Sequence, residues 1–259
     1  MSASNYLDRY MLYNTDFIKK RENLTFSSAR QLVPYLVDLL NPESVVDIGC
    51  ANGIWLNVFE ENGVSNLLGI DGNWIKDEDL YVRKSCFLRS DLSATFPEIS
   101  GKYDLAVSIE VAEHLPEGRA KGFVNYLCSL SDTVAFSAAI PMQGGTGHIN
   151  ERPQSYWAEF FEENGYYCYD LIRPQFWKDS RVNVVHRQNL IIYSRKKNLP
   201  FASNTQNRCW DNHQFLDVVH PELYQLKISG LNNKATLNYQ IKRKIVSFLK
   251  KLGLKKITI

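Results

Sequence analysis

The sequence predicts an α/β fold: a mostly parallel sheet of seven strands with helices on both faces, followed by a C-terminal extension. Three observations predict it. Apolar strand-like runs alternate with helical patterns over short connections, which implies parallel strands covered on both faces. A run of small residues, Gly49-Cys50-Ala51-Asn52-Gly53, follows the first strand. The alternation fades after about Leu199, where a different composition begins.

The elements read in order. A helix is expected from about Ser27 to Leu40, capped by Thr25 or Ser27 and stopped by Asn41-Pro42. Ser44 to Ile48 is a strand, and Ile54 to Asn62 a helix closed by Gly63. Strands two to five are Asn66–Ile70, Cys86–Arg89, Tyr103–Ile109 and Thr133–Ile140. Helices are expected over about Pro116–Leu130 and Pro153–Asn164, the second ended by Gly165. Tyr166–Ile172 and Asn189–Ser194 read as two last strands around an irregular segment, forming an antiparallel edge. The domain boundary falls between 198 and 199, giving a main domain over 1–198 with an N-terminal helical segment and an extension over 199–259.

Composition narrows the function classes. The chain has 259 residues, of which 44% are hydrophobic and 22% charged, enough for one substantial core. No run approaches the roughly 20 apolar residues of a membrane span. The beginning, Met1 to Phe17, lacks the pattern of a secretory signal. Five scattered cysteines, Cys50, Cys86, Cys128, Cys168 and Cys209, form no C-x-x-C pair. Reduced thiols in a cytoplasm are expected, and no metal site. The net charge of +2 conceals an asymmetry: residues 236–259 hold seven Lys or Arg and no acid, so the remainder is net −5. A mildly acidic body is not that of a nucleic-acid binder.

In open α/β sheets, ligands bind outside the C-terminal strand ends near the point where strand order reverses. The chemistry-bearing residues follow the strands. Gly49, Ala51 and Gly53 let the backbone turn tightly and approach a ligand. The dinucleotide fingerprint is incomplete, since Ile54 stands where its third glycine would be. The lysine of a P-loop is absent too. Asp71 ends the second strand, about 20 residues past the loop, where a carboxylate accepts ribose hydroxyls. Asp91 follows the third strand and is placed to meet an adenine amino group. Each aspartate also has a simpler reading as a turn or cap residue.

Asp47-Ile48-Gly49-Cys50-Ala51-Asn52-Gly53 resembles the first motif of class I S-adenosylmethionine-dependent methyltransferases, with Ala51 where that family more often has glycine. Asp71 and Asp91 match its ribose and adenine carboxylates. Ser108-Ile109-Glu110-Val111-Ala112-Glu113-His114-Leu115 resembles the S-x-E-V-x-E-H-L signature of its small-molecule branch. The resemblance spans about Val45 to Arg195. It implies a Rossmann-like domain, S-adenosylmethionine as cofactor, and methyl transfer. Donor contacts are expected from Asp47, Gly49, Cys50, Ala51, Gly53, Asp71, Gly72, Asp91, Leu92 and Glu110.

The segment after strand five, Ile140 to Arg152, carries three glycines and then clustered polar groups. Gly147-His148-Ile149-Asn150-Glu151, with Ser155-Tyr156-Trp157, resembles a segment of a bacterial subgroup acting on surface-glycan precursors. Arg152-Pro153-Gln154 departs from that subgroup's Q-W-P. For a hydroxyl acceptor the enzyme must align the nucleophile and remove its proton. His148 is the first candidate for general base, with Glu113 as its orienting partner or as an alternative base; a structural cap is the competing reading of His148. Asn150, Glu151, Tyr156 and Trp177 are candidate acceptor contacts. The expected partner is a small-molecule or glycan acceptor, methylated at oxygen. N-methylation on the same fold, or a non-catalytic binder of S-adenosylmethionine, are the alternatives.

In the basic end, Leu237, Ile241, Ile245, Phe248 and Leu252 share one helical stripe, with Lys and Arg on other faces. Two readings stand: a peripheral contact with an anionic membrane at its inner face, or a terminal helix docked on the body.

Overall fold

A computed structural model describes residues 15–197, 199 and 216–231, with side chains from residue 21 onward. These fall into two compact units, one ending at Val218 and one beginning at Val219. The second unit is described only through a helix over residues 221–231. Cys209 and the basic stretch 236–259 lie outside the described residues.

The first unit is built on one seven-stranded sheet, in the spatial order β3-β2-β1-β4-β5-β7-β6. Its strands are β1 (Ser44–Ile48), β2 (Asn66–Asp71), β3 (Phe87–Arg89), β4 (Leu105–Ile109), β5 (Thr133–Ser137), β6 (Tyr167–Tyr169) and β7 (Ile191–Ser194). Strands one to five are parallel; β7 runs antiparallel to both β5 and β6. The expected antiparallel edge is present, with the later strand inserted inside the earlier. This is a Rossmann-like α/β architecture. Its strand order reverses between β1 and β4, and a crevice opens there beyond the strand ends.

Side-chain alternation explains the two layers. In β1, Val45 points into one core and Val46 into the other. Leu105 and Val107 of β4 share the first core, while Ala106 enters the second. The first core is completed by α1 (Thr15–Leu40), α2 (Ile54–Glu61) and α5 (Ile172–Phe176). The second is completed by α3 (Ala120–Leu130) and α4 (Gln154–Glu163). Burying both faces accounts for apolar runs without polar alternation in β1 and β5, whose every residue is buried. The two edge strands have three residues each, which limits free edge for pairing with other chains.

Several boundaries depart from expectation: β5 ends at Ser137 rather than Ile140, α3 begins at Ala120 rather than Pro116, and β7 begins at Ile191 rather than Asn189. Helix α1 begins at or before Thr15, twelve residues ahead of Ser27. Thr25 and Ser27 do not cap it: Thr25 Oγ1 donates to the Arg21 carbonyl, and Ser27 Oγ to that of Arg181. Strand β6 stops at Tyr169 rather than Ile172, because Ile172 opens α5; Pro174 lies in its first turn, where the missing N–H is no loss. The irregular segment also holds α6 (Val184–Asn189), capped by Asn183, whose Oδ1 accepts from the Val185 N–H at 3.1 Å.

Candidate active site

The loop after β1 makes the corner of a cavity of about 220 Å³. Gly49 adopts φ +83°, a left-handed conformation. A Cβ there would lie 2.4 Å from Cγ2 of Val111, so glycine is required by conformation and by space. Ala51 also has positive φ, at 48°, at a cost of roughly 1–2 kcal/mol for a residue with a side chain. The Gly49 and Cys50 amides both donate to the Ile70 carbonyl, tying the loop to β2.

Asp71 stands at the end of β2, half-buried at the cavity wall. Its Oδ2 accepts from the Ala51 amide at 2.7 Å and its Oδ1 from the Gly72 amide at 2.6 Å. Burial raises its carboxyl pKa, while these amides and the Trp74 side chain pull it back down. Asp47 lies below the loop, 2% exposed, with no partner for Oδ2. Burial, reinforced by the charge of Asp71, pushes it well above the carboxylate range.

Of the expected donor contacts, Gly49, Cys50, Ala51, Asp71, Leu92 and Glu110 line the cavity. Asp47, Gly53, Gly72 and Asp91 are not in its lining. Asp91 Oδ1 accepts from the backbone and hydroxyl of Ser93, a turn role. Glu110 holds positive φ, at 57°, and its carboxylate accepts from Gln143 Nε2 at 2.7 Å and Asn189 Nδ2 at 3.0 Å. Trp74, Ile75, Glu22 and His186 also line the cavity and were not foreseen. Trp74 sits in the turn three residues past Asp71, where an aromatic neighbour of the ribose acid was a readable signal. His186 comes from α6, and nothing in the sequence links it to strand ends more than 70 residues earlier. Its ring packs edge-on to Trp55, and burial lowers its pKa to about 4.

A second group of residues adjoins the cavity through His114, which lines it. The His114 and His148 rings meet edge-on, 4.8 Å between centroids. The loop after β5 is held to the turn after β4 by the Ile149 and Asn150 amides, which donate to the Glu113 carbonyl at 2.9 and 3.0 Å. His148 lies over Gly145: a Cβ at 145 would fall 2.1 Å from its Nε2. Nδ1 of His148 is 2.8 Å from Glu151 Oε1, which also accepts from the Gly144 amide at 2.6 Å. Glu151 therefore orients the imidazole, the place expected of Glu113. Glu113 Oε1 lies 3.9 Å from Nε2 on the other side of the ring. It is fully buried, and burial followed by the charge of Glu110 raises its carboxyl well above the usual range.

The remaining candidates lie apart from the cavity lining. Asn150 is buried and accepts from Arg152 Nε. Tyr156 packs on Trp157 and Phe160, with Arg152 over its ring. Trp177 follows α5, its carbonyl accepting from Arg187. The residues that depart from the glycan subgroup have structural partners: Arg152 pairs with Glu117, Pro153 precedes α4, and Gln154 donates to the Ala138 carbonyl.

Residues 19–121 match a family described as a methyltransferase domain. No curated protein matches the sequence. Among solved structures, the chain is similar to an O-methyltransferase family protein from Burkholderia thailandensis, at 12% identity and TM-score 0.45. That match covers 64% of this chain and 57% of the other, so the chain spans little more than half of that protein. It is also similar to the methyltransferase domain of bacterial CtHen1-C, at 18% identity and TM-score 0.49, covering 66% and 98%. A third is magnesium protoporphyrin IX methyltransferase from Synechocystis PCC 6803 with bound S-adenosylhomocysteine: 16% identity, TM-score 0.48, covering 75% and 95%. The cavity's lining is chemically compatible with S-adenosylmethionine, the donor that the resemblance of residues 47–53 implies. It offers a carboxylate at a strand end for a diol, apolar walls for a purine, and acidic groups for a cationic sulfonium. The matched region contains the loop, Asp71, Glu110 and Glu113, so the cavity is built on the part of the chain that is similar to a methyltransferase domain.

Proposed function

We propose that the protein is an S-adenosylmethionine-dependent methyltransferase that methylates a hydroxyl of a small molecule or surface-glycan precursor. The donor brings an activated methyl group, so the chain's own residues must hold it, orient the acceptor and take away one proton. Asp71 is suited to the ribose hydroxyls, since the Ala51 and Gly72 amides and the Trp74 side chain fix its carboxylate in place without using all of its acceptor capacity. Trp74, Ile75 and Leu92 give the apolar wall for the adenine, and Glu110 favours the positive end of the donor.

The observation that carries oxygen as the acceptor atom is the His148–Glu151 pair at 2.8 Å, next to the cavity through His114. An imidazole oriented by a carboxylate is the usual apparatus for removing a proton near neutral pH. Exposed Met142 and Ile149 flank it on the same loop and offer apolar contact to an acceptor. The glycan assignment rests on the resemblance of residues 147–157. The basic stretch 236–259 suits a peripheral position on an anionic membrane, where such precursors are assembled; no described helix is long and apolar enough to cross one.

The experiment is transfer of a labelled methyl group from S-adenosylmethionine to a panel of nucleotide sugars, glycan fragments and small phenols, and their amine analogues. A labelled ether on a hydroxyl acceptor is expected. Product only on amines would overturn the O-methylation reading.

A further inference from the structure

Beside the cavity a carboxylate and two imidazoles converge from two strand ends. Glu113 and His114 belong to the turn after β4, and His148 to the loop after β5. One ligand-competent atom from each lies within 4.8 Å of the others. Among the described residues no other trio of this kind occurs.

The surroundings of Glu113 call for a positive charge. Its side chain is fully buried, and neither carboxylate oxygen has a well-formed hydrogen bond; the nearby backbone of Glu113 and Ala139 offsets its burial only in part. A carboxyl so placed keeps its proton, and it ionises readily only when a cation compensates the charge. The facing atom is Nε2 of His148 at 3.9 Å, too far for a direct hydrogen bond. With Nδ1–H donating to Glu151, Nε2 presents a lone pair. Two electron-rich atoms thus face each other across a gap. Ligands each about 2.1 Å from one shared ion stand roughly 3–4 Å apart, the size of that gap.

We propose that Glu113, His114 and His148 bind a divalent first-row transition cation. Two imidazoles and one carboxylate favour Zn²⁺, Co²⁺ or Fe²⁺ over Ca²⁺ or Mg²⁺. Both histidines have the backing that metal-bound imidazoles receive: Glu151 behind His148, and the Gly147 carbonyl 3.2 Å from Nδ1 of His114. No sequence spacing announces the site, because its ligands come from separate loops.

Cation binding stands on this geometry alone; its use in catalysis rests on the O-methylation reading. An acceptor hydroxyl placed against the cation ionises more readily, its proton passing to solvent. The oxygen lone pair then bonds to the methyl carbon as the carbon–sulfur bond breaks, its electron pair staying on sulfur. In this arrangement His148 promotes ionisation as a ligand and does not itself take the proton.

The test is titration of chelator-stripped full-length protein with Co²⁺ alone, followed by visible absorption, then competition with Zn²⁺. One equivalent should bind with a ligand-field spectrum lacking a thiolate charge-transfer band. Glu113→Gln and His148→Ala should each weaken binding by at least tenfold while S-adenosylhomocysteine affinity, which reports folding, holds. Glu151→Gln should weaken it by about 10–100-fold. Less than one equivalent bound, a thiolate band, or equal affinity in the folded Glu113→Gln and His148→Ala proteins would overturn the site. Where an acceptor is in hand, chelation should abolish turnover and added cation restore it. Metal binding with chelator-insensitive turnover would overturn only the catalytic use.

Discussion

The two halves of the site are built on different principles. On the donor side, the Asp71 carboxylate is satisfied by backbone amides and the corner is fixed by Gly49. The carboxylate that faces the cavity is thus met by the chain itself, though Asp47 Oδ2 beneath the loop has no partner. On the acceptor side of the proposed reading, the Glu113 carboxylate has no well-formed hydrogen bond and faces His148 across 3.9 Å. Burial holds that carboxyl well above the usual range, so it ionises readily only when something positive enters. In the proposed reading, the contrast teaches that the acid meant for the ribose is held in place by the chain's own amides, while the acid beside His148 is left without such support. His114 belongs to both, lining the cavity while touching His148.

The largest expected effect falls on the acceptor half. His148→Ala should lower turnover by ~10²–10⁴ in a labelled-methyl assay, whether the ring takes the proton or holds a cation that ionises the acceptor. Near-normal turnover would make His148 purely structural and erase the contrast.

Next comes a pH effect on the donor half. His186 is buried with its pKa lowered to about 4, against about 6.5 when unfolded. The unfolded chain binds the extra proton first, so stability is full above about pH 6.5 and declines towards pH 4. The decline attributable to this group is about 3 kcal/mol. Denaturant unfolding across that window measures it, and His186→Leu should flatten the slope. An unchanged slope would put the acid sensitivity elsewhere.

A smaller effect separates space from conformation at the corner. Gly49→Ala should destabilise by about 2 kcal/mol or more, from positive φ and from the clash with Val111. Adding Val111→Ala should recover the clash and leave the conformational part. Full recovery would mean that φ at 49 carries no penalty.

The smallest effect concerns residues 236–259. Co-sedimentation with anionic vesicles at low salt should be lost on their removal, each Lys or Arg near the surface contributing about 1 kcal/mol. Truncation that instead lowers thermal stability would assign the stretch to the fold.

What was legible in the sequence follows the same division. Strand β1 and the Gly49–Gly53 loop were readable because an apolar run and a glycine turn are local signals, and Asp71 because a strand end fixes its place. Helix α1 was begun too late because Thr25 and Ser27 resemble caps in sequence, while their hydroxyls bond to carbonyls instead. Glu113 and His148 were nominated from short resemblances. Their arrangement was not readable, because the Glu151 carboxylate reaches the His148 ring through a loop whose course depends on Gly144 and Gly145. His186 was missed because α6 delivers it to the cavity from a remote stretch, a matter of tertiary packing alone.

The division of labour is tested most directly by calorimetric titration of S-adenosylhomocysteine into the full-length protein, Asp71→Ala and His148→Ala. The account predicts that Asp71→Ala weakens binding more than tenfold, about 1.4 kcal/mol, while His148→Ala binds as the unaltered protein does. Equal losses in both variants, or undiminished binding by Asp71→Ala, would contradict it.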